Sequence, residues 1–373
     1  MSGESQACGE VSLAIHPHQR QNTHNRFPVS GRLYRWPASP RCPPSSDPSV
    51  MAENILFITS NRLGDAVLST AVLAHLLDEY PGSQVTIACG PLPAPLFATM
   101  PNLRALIPMP KRKRGGHWWR LWRDVVHERW DIVVDLRDSV VSRLIRANRR
   151  MIFRALPDEL GRHKVEQFAE RLKLPAPLMP RLWFSEEQIS AAREQMRPDD
   201  GPILAVGPAA NWAGKEWPMD RYQALIDHLT AADGPLPNAR VAVSAAPNER
   251  EQAIAAWGRV PKERQIDLMR NTDPAFAAAC LAHVSLYVGN DSGLMHIAAA
   301  VGVPTVGLFG PSDDRIYAPY GPKTQWVRSP VPKAELIRAV DAGERPLTSL
   351  MDEIDMEAVK AACHRILAPA ADH

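Results

Sequence analysis

The chain has 373 residues, with 43 Lys and Arg against 41 Asp and Glu, a formal net charge of +2, 45% hydrophobic and 23% charged residues. That length suits two domains of ordinary size, and that balance speaks against a disordered chain, a collagen or a whole-chain nucleic-acid binder. The five cysteines, Cys8, Cys42, Cys89, Cys280 and Cys363, lie far apart without a C-x-x-C pair, so neither a zinc site nor a disulfide framework is expected, and a reducing cytoplasm fits.

Residues 1–50 hold seven prolines, five arginines and three acidic residues, with no apolar period of 2 or 3.6. The expectation is a disordered tail or a mis-assigned start, with a regulatory or anchoring tail as the alternative. The character changes at Met51, the expected translation start, where a buried parallel strand begins. No continuous apolar core suited to a secretory signal precedes it. From there on the charges balance, so an anionic partner has to be met by a local patch.

Short Val/Ile/Leu-rich runs then alternate with helical patterns: strand Ile55–Thr59, helix Ala66–Tyr80, strand Val85–Ala88, helix Trp118–Glu128, strand Ile132–Asp135 and helix Ser139–Ala147. That alternation predicts βαβ units around a parallel sheet. The proline-rich stretch Leu174–Phe184 reads as a linker between an N-terminal domain, 51–173, and a C-terminal domain, 185–345. In the second domain the spacing predicts strands Ile203–Val206, Arg240–Ser244, Leu286–Val288 and Thr305–Phe309, with helices Met219–Ala231, Glu249–Trp257 and Leu294–Val301. The long apolar run from Gly293 to Gly310 is broken by His296, Pro304 and four glycines, so it reads as helix, turn and buried strand rather than a membrane span. A last helix, Met356–Leu367, within a C-terminal segment 346–373, is free to pack on either half.

In open α/β sheets, ligands gather where strands end and helix N-termini offer unpaired N–H groups. Two such turns stand out. Ser60-Asn-Arg-Leu-Gly-Asp65 puts Asp65 at the edge of a crevice, where it is either a general base or an acidic residue favoured by the helix dipole. With one glycine, this turn lacks the dinucleotide fingerprint G-x-G-x-x-G, which disfavours a nicotinamide enzyme. Gly289-Asn-Asp-Ser-Gly-Leu-Met-His296 offers small residues, the Ser292 hydroxyl and His296 to a diphosphate. Lys215, on the loop after Ile203–Val206, is either solvated or a counter-charge for a leaving phosphate, and Glu249 after the next strand either binds sugar hydroxyls or caps a helix. Lys111-Arg-Lys-Arg114, followed by a Trp-rich helix with Arg120 and Arg123 on one face, suits an anionic amphiphile such as a phosphorylated lipid headgroup at least as well as nucleic acid.

With these residues assembled, Met51 to about Pro330 resembles the family 9 glycosyltransferases, the bacterial heptosyltransferases of the lipopolysaccharide inner core. The resemblance rests on Arg62-Leu-Gly-Asp65, Lys215-Glu-Trp-Pro, Asn290-Asp-Ser-Gly-Leu-Met-His296 and Pro304-Thr-Val-Gly-Leu-Phe-Gly-Pro-Ser-Asp313. It implies a GT-B fold of two Rossmann-like domains facing across a crevice, an ADP-heptose donor and inversion without a metal or cofactor. Asp65 would be the base. Lys215, Asp291, Ser292, Gly293 and His296 would hold the nucleotide sugar, with Glu249 on its ribose. Lys111, Arg112, Lys113, Arg114, Arg120 and Arg123 would meet a phosphorylated glycolipid acceptor, on a cytoplasmic protein lying against the inner membrane. One departure is Ala209-Ala210-Asn211 where some members carry a Thr pair, which puts phosphate contacts and donor identity in question. The same machinery would serve another nucleotide sugar, another glycolipid or a polysaccharide acceptor. A catalytically silent nucleotide-sugar-binding protein would not need a crevice carboxylate such as Asp65.

Overall fold

The computed structural model describes residues 53–154, 161–271 and 273–368. The proline-rich residues 1–50 lie outside the described residues. Ile55, Leu56, Phe57 and Ile58 are all fully buried, which a strand achieves only when both faces of its sheet are covered. This strand, β1 (Asn54–Ile58), is the middle of a five-stranded parallel sheet with β2 (Gln84–Cys89), β3 (Leu103–Pro108), β4 (Arg129–Asp135) and β5 (Arg146–Ile152), ordered β3-β2-β1-β4-β5. Its helical segments are α1 (Leu63–Glu79), α2 (Gly116–Val125), the single turn α3 (Val141–Leu144) and α4 (Lys164–Leu172).

A second parallel sheet holds β6 (Ile203–Gly207), β7 (Arg240–Val243), β8 (Gln265–Asp267), β9 (Leu286–Asn290), β10 (Thr305–Phe309) and β11 (Thr324–Arg328), ordered β8-β7-β6-β9-β10-β11. Around it lie α5 (Glu186–Met196), α6 (Met219–Thr230), α7 (Arg250–Ala253), α8 (Pro274–Leu281), α9 (Gly293–Ala300), α10 (Asp314–Tyr317), α11 (Lys333–Asp341) and α12 (Met356–Leu367). Strand order reverses between β1 and β4 in one sheet and between β6 and β9 in the other, so each sheet opens a crevice at the C-terminal ends of those strands.

The two sheets share one apolar cluster. It passes from Ile55 and Phe57 through Val67, Leu68 and Val72 of α1 to Met295 and Ile297 of α9 and Tyr287 of β9. From Ala66 to Ala74 every residue of α1 is buried, as in a helix enclosed by neighbours on all sides. It meets α9 end to end through two glycines. A Cβ on Gly64 would stand 2.7 Å from Cδ2 of the buried His296, and a Cβ on Gly293 would stand 2.8 Å from Cβ of Leu63. The stretch Leu174–Phe184 has no regular structure, as its prolines dictate, but it is strapped to the first half. The Arg181 guanidinium forms paired bonds of 2.9 and 2.8 Å to Asp78, the Arg181 N–H donates to Thr70 Oγ1, and the Thr99 hydroxyl donates to the Trp183 carbonyl. α12 buries Val359, Ala362 and Cys363 in the core of the second half.

The expected helix Ser139–Ala147 is a correction. Only one turn, Val141–Leu144, is helical, and the chain then extends into β5. β5 is a sheet edge whose Arg146, Arg149 and Arg150 are exposed, so it lacks the apolar run of a buried strand and owes its extension to pairing with β4. The expected helix Glu249–Trp257 is divided into 3₁₀, α and 3₁₀ turns. The run Gly293–Gly310 is α9, a turn with Gly302 at φ +83°, and β10, and no helix among the described residues is long and apolar enough to cross a membrane.

A second tie joins the halves. His163 caps α4 by accepting the Val165 N–H at Nδ1 (3.2 Å), its Nε2 lies 3.0 Å from the Ala318 carbonyl, and its ring stacks on Tyr320. Both bonds need the neutral ring with the proton on Nε2. Burial, with a smaller contribution from His296, pushes the pKa down to about 3.

Two outcomes follow. Gly64→Ala is expected to cost about 1–3 kcal/mol, read as a lowered Tm, because its methyl group meets a ring that has nowhere to go. For His163, the unfolded imidazole takes up a proton near pH 6.5 while the folded one stays neutral down to about 3. Stability is therefore full above pH 6.5 and falls as pH drops toward 3. His163→Gln should show a lower Tm at pH 7.5 and a smaller further loss between pH 7.5 and 5 than the parent chain.

Candidate functional site

Asp65 lies in the first turn of α1, half-buried, with the Ser60 hydroxyl 3.4 Å from its Oδ2. The turn before it is held tightly: the Ser60 hydroxyl also accepts the Arg62 N–H, and Gly90 lies so close that a Cβ there would stand 2.5 Å from Cα of Asn61. Beyond Asp65 opens a cleft of about 670 Å³. Its walls come from the turns after β1, β3, β4 and β5, from α1 and α4, and from Tyr317 of the second half, and they carry the cations Arg62, Lys111, Arg137, Arg154 and Lys164 against the carboxylates Asp65 and Asp138. Asp138 is occupied by Arg143 and by Arg154 at 3.3 Å, and the hydrogen bond from Arg143 first of all holds its carboxyl below the usual range. An excess of positive charge remains to face an anionic ligand.

In the second half, Asn290 at the end of β9 is the fastening point. Its carboxamide oxygen accepts the Trp217 N–H (3.2 Å) and the Tyr222 hydroxyl (2.9 Å), and its NH2 donates to the Pro208 carbonyl (2.7 Å). The loop between β6 and α6 is thereby tied down at both ends. On that loop the Glu216 carboxylate accepts the Ala210 N–H, and Lys215 reaches across to Asp291, Nζ to Oδ2 at 2.6 Å. Ala209 and Ala210 are buried, so this part of the loop offers backbone rather than hydroxyl groups.

His296 gathers the two halves electrostatically. It is buried, its Nε2 is 4.0 Å from Asp291 Oδ1, and its Nδ1 has no partner among the described residues. Burial lowers its pKa, Asp291 and Asp65 oppose that shift, and Lys215 adds to it. Asp65 from one sheet and Lys215, Asp291, Ser292, Gly293 and His296 from the other thus converge where α1 meets α9. The first N–H groups of α9 add partial positive charge, since its N-cap, Ser292, makes no side-chain capping bond.

Other expected residues fall elsewhere. Glu249 closes its own turn, with Oε2 accepting the Ala246 N–H at 2.9 Å, and no described bond joins it to Lys215 or Asp291. Of the basic segment, Lys111 lines the cleft, while Arg112, Lys113 and Arg114 are exposed on the turn leading into α2. Arg120 and Arg123 lie on the outer side of α2 and pair with Asp124 at 3.7 and 3.9 Å. Trp119, 64% exposed, stacks on Trp122 beside them. Sequence reasoning missed Arg137, Asp138, Arg154 and Lys164. Arg137 and Asp138 were within reach, because they follow a predicted strand directly. Arg154 and Lys164 carried no such signal, because β5 did not read as a strand.

Asn290→Ala should strand the Trp217 N–H, the Tyr222 hydroxyl and the Pro208 carbonyl, each worth about 1–3 kcal/mol when buried unpaired. The expected result is a lower Tm and faster tryptic cleavage after Lys215 in limited proteolysis.

Known proteins bear on this arrangement. The family described as glycosyltransferase family 9 (heptosyltransferase) matches residues 148–343. Lipopolysaccharide heptosyltransferase 2 of Escherichia coli is 28% identical over 348 residues, covering 80% of this chain and 94% of that protein. Among solved structures, a family 9 glycosyltransferase from Veillonella parvula superposes with a TM-score of 0.70 at 20% identity, over 84% of this chain and 97% of that one. The E. coli ADP-heptose lipopolysaccharide heptosyltransferase II superposes with a TM-score of 0.66 at 23% identity, over 84% and 98%. At these identities the superpositions establish the fold, which is GT-B.

Proposed function

The chain belongs to glycosyltransferase family 9, and we propose that it moves heptose from ADP-heptose to a phosphorylated lipopolysaccharide inner-core acceptor, with inversion and without a metal ion. The observation that carries this reading is the convergence of a carboxylate from one sheet and a lysine from the other on the α1–α9 contact.

The donor lies on the second half. Lys215 and the free N–H groups at the start of α9 take the diphosphate, Asp291, Ser292, Gly293 and His296 surround it, and Glu249 turns toward the ribose. In the free chain Lys215 is held by Asp291, and a diphosphate competes for that ammonium with more charge than one carboxylate. The acceptor sugar enters the cleft of the first half, drawn by its excess cations. Asp65 removes the proton of the attacking hydroxyl as the new C–O bond forms on the face of the anomeric carbon opposite the nucleotide. The anomeric C–O bond to phosphate breaks, and the diphosphate leaves onto Lys215 and the α9 dipole. Along the outer edge, Arg112, Lys113, Arg114, Arg120 and Arg123 with Trp119 meet the phosphorylated headgroup region of a cytoplasmic membrane face, to which the protein binds peripherally.

Calorimetry with ADP, GDP and UDP in EDTA is expected to give selective ADP binding; preference for GDP or UDP overturns the donor. Asp65→Asn should lower turnover by about 10²–10⁴-fold with ADP affinity unchanged, and retained turnover rejects Asp65 as the base. The anomeric configuration of the product, read by NMR, tests inversion.

A further inference from the structure

The cleft cations are not alike. Arg62, Lys111, Arg137 and Arg154 are exposed, whereas Lys164 is half-buried. Its ammonium stands 4.4 Å from the ring centroid of Phe153 and 5.5 Å from that of Phe168, two buried rings packed edge to face. No ion pair or hydrogen bond to that ammonium is found among the described residues, and the carboxylate that acts on it through space is Asp65. Burial lowers its pKa, and the neighbouring Asp65 only partly offsets this. An ammonium partly withdrawn from water onto apolar rings, with no counter-ion among the described residues, is short of an anion.

Its position is also well determined. Lys164 opens α4 directly after His163, which caps that helix and reaches the Ala318 carbonyl in the other half. The charge is thus fixed relative to the place where the halves meet. A sugar bearing an anionic group would satisfy it while offering a hydroxyl to Asp65, in a cleft of about 670 Å³ shared by both side chains.

We propose that Lys164 is a specificity-determining residue for the acceptor: it binds a phosphate or carboxylate of the sugar whose hydroxyl Asp65 deprotonates. This rests on the transferase reading above. The variants are Lys164→Met, which keeps the stem over the rings and removes the charge, and Lys164→Arg. With ADP-heptose and deacylated inner-core oligosaccharide, Lys164→Met is expected to raise the acceptor KM by at least about tenfold and leave the donor KM unchanged, with Lys164→Arg recovering most of the loss. If the loss disappears with phosphatase-treated acceptor, the anion is a phosphate; if it persists, a carboxylate. An unchanged acceptor KM, or a loss confined to the donor KM or to kcat, overturns the proposal.

A further measurement needs no variant. In the full-length wild-type chain, inorganic phosphate or acetate should slow acylation of the Lys164 amine, read by mass spectrometry, and no slowing by either overturns the anion site. Failure of the wild type to bind ADP or to transfer heptose would instead strike the transferase reading and is separately visible.

Discussion

Everything at the site depends on two helix ends being able to touch. α1 and α9 each begin at the reversal point of their own sheet, and their first turns meet at Gly64 and Gly293. Any side chain at Gly64 would run into the buried His296, and any at Gly293 into Leu63, so the missing Cβ atoms set how near the sheets come. The apolar cluster that runs through both halves holds the helices there; each fully buried Leu, Ile or Val of α1 and α9 adds about 1.5–3 kcal/mol. His163 and its bond to Ala318 form a second point of attachment on the α4 side.

The approach has an electrostatic consequence. Helix N-termini carry partial positive charge, and two brought together repel unless negative charge lies near both. Asp65 and Asp291 provide part of that charge, and both bear on His296. Lys215 is drawn in by Asp291 and returns the region toward positive. The result is a place of partial positive charge with a carboxylate alongside it. The same physics extends into the first-half cleft, where five cations face two carboxylates and one of those carboxylates is already taken by arginines.

The loops obey a simple division of labour. Asn290 spends its whole side chain on holding the β6–α6 loop, so that Lys215 has one place to be. Arg181 and Thr70 fasten the irregular proline-rich segment along α1. Polar side chains bonded to loops and backbone thus determine where the charged ones stand.

By itself the sequence determined the class of fold and placed six candidate residues on turns that follow its buried strands. Buried parallel strands must be apolar throughout, so β1, β6, β9 and β10 announce themselves, and Asp65, Lys215 and the run Asp291 to His296 lie within eight residues after the ends of β1, β6 and β9. Helix Met356–Leu367 was legible from its period, but its docking on the second half was not, because an amphipathic face does not name its partner. β5 hid behind exposed arginines, since an edge strand is shaped by its neighbour rather than by its own composition. With β5 unseen, Arg154 and Lys164 had no visible connection to Asp65. Only tertiary structure brings residues 89 and 99 positions apart into one cleft and turns a lysine over two phenyl rings. Which charge stays hydrated and which is withdrawn depends on packing that no local pattern encodes.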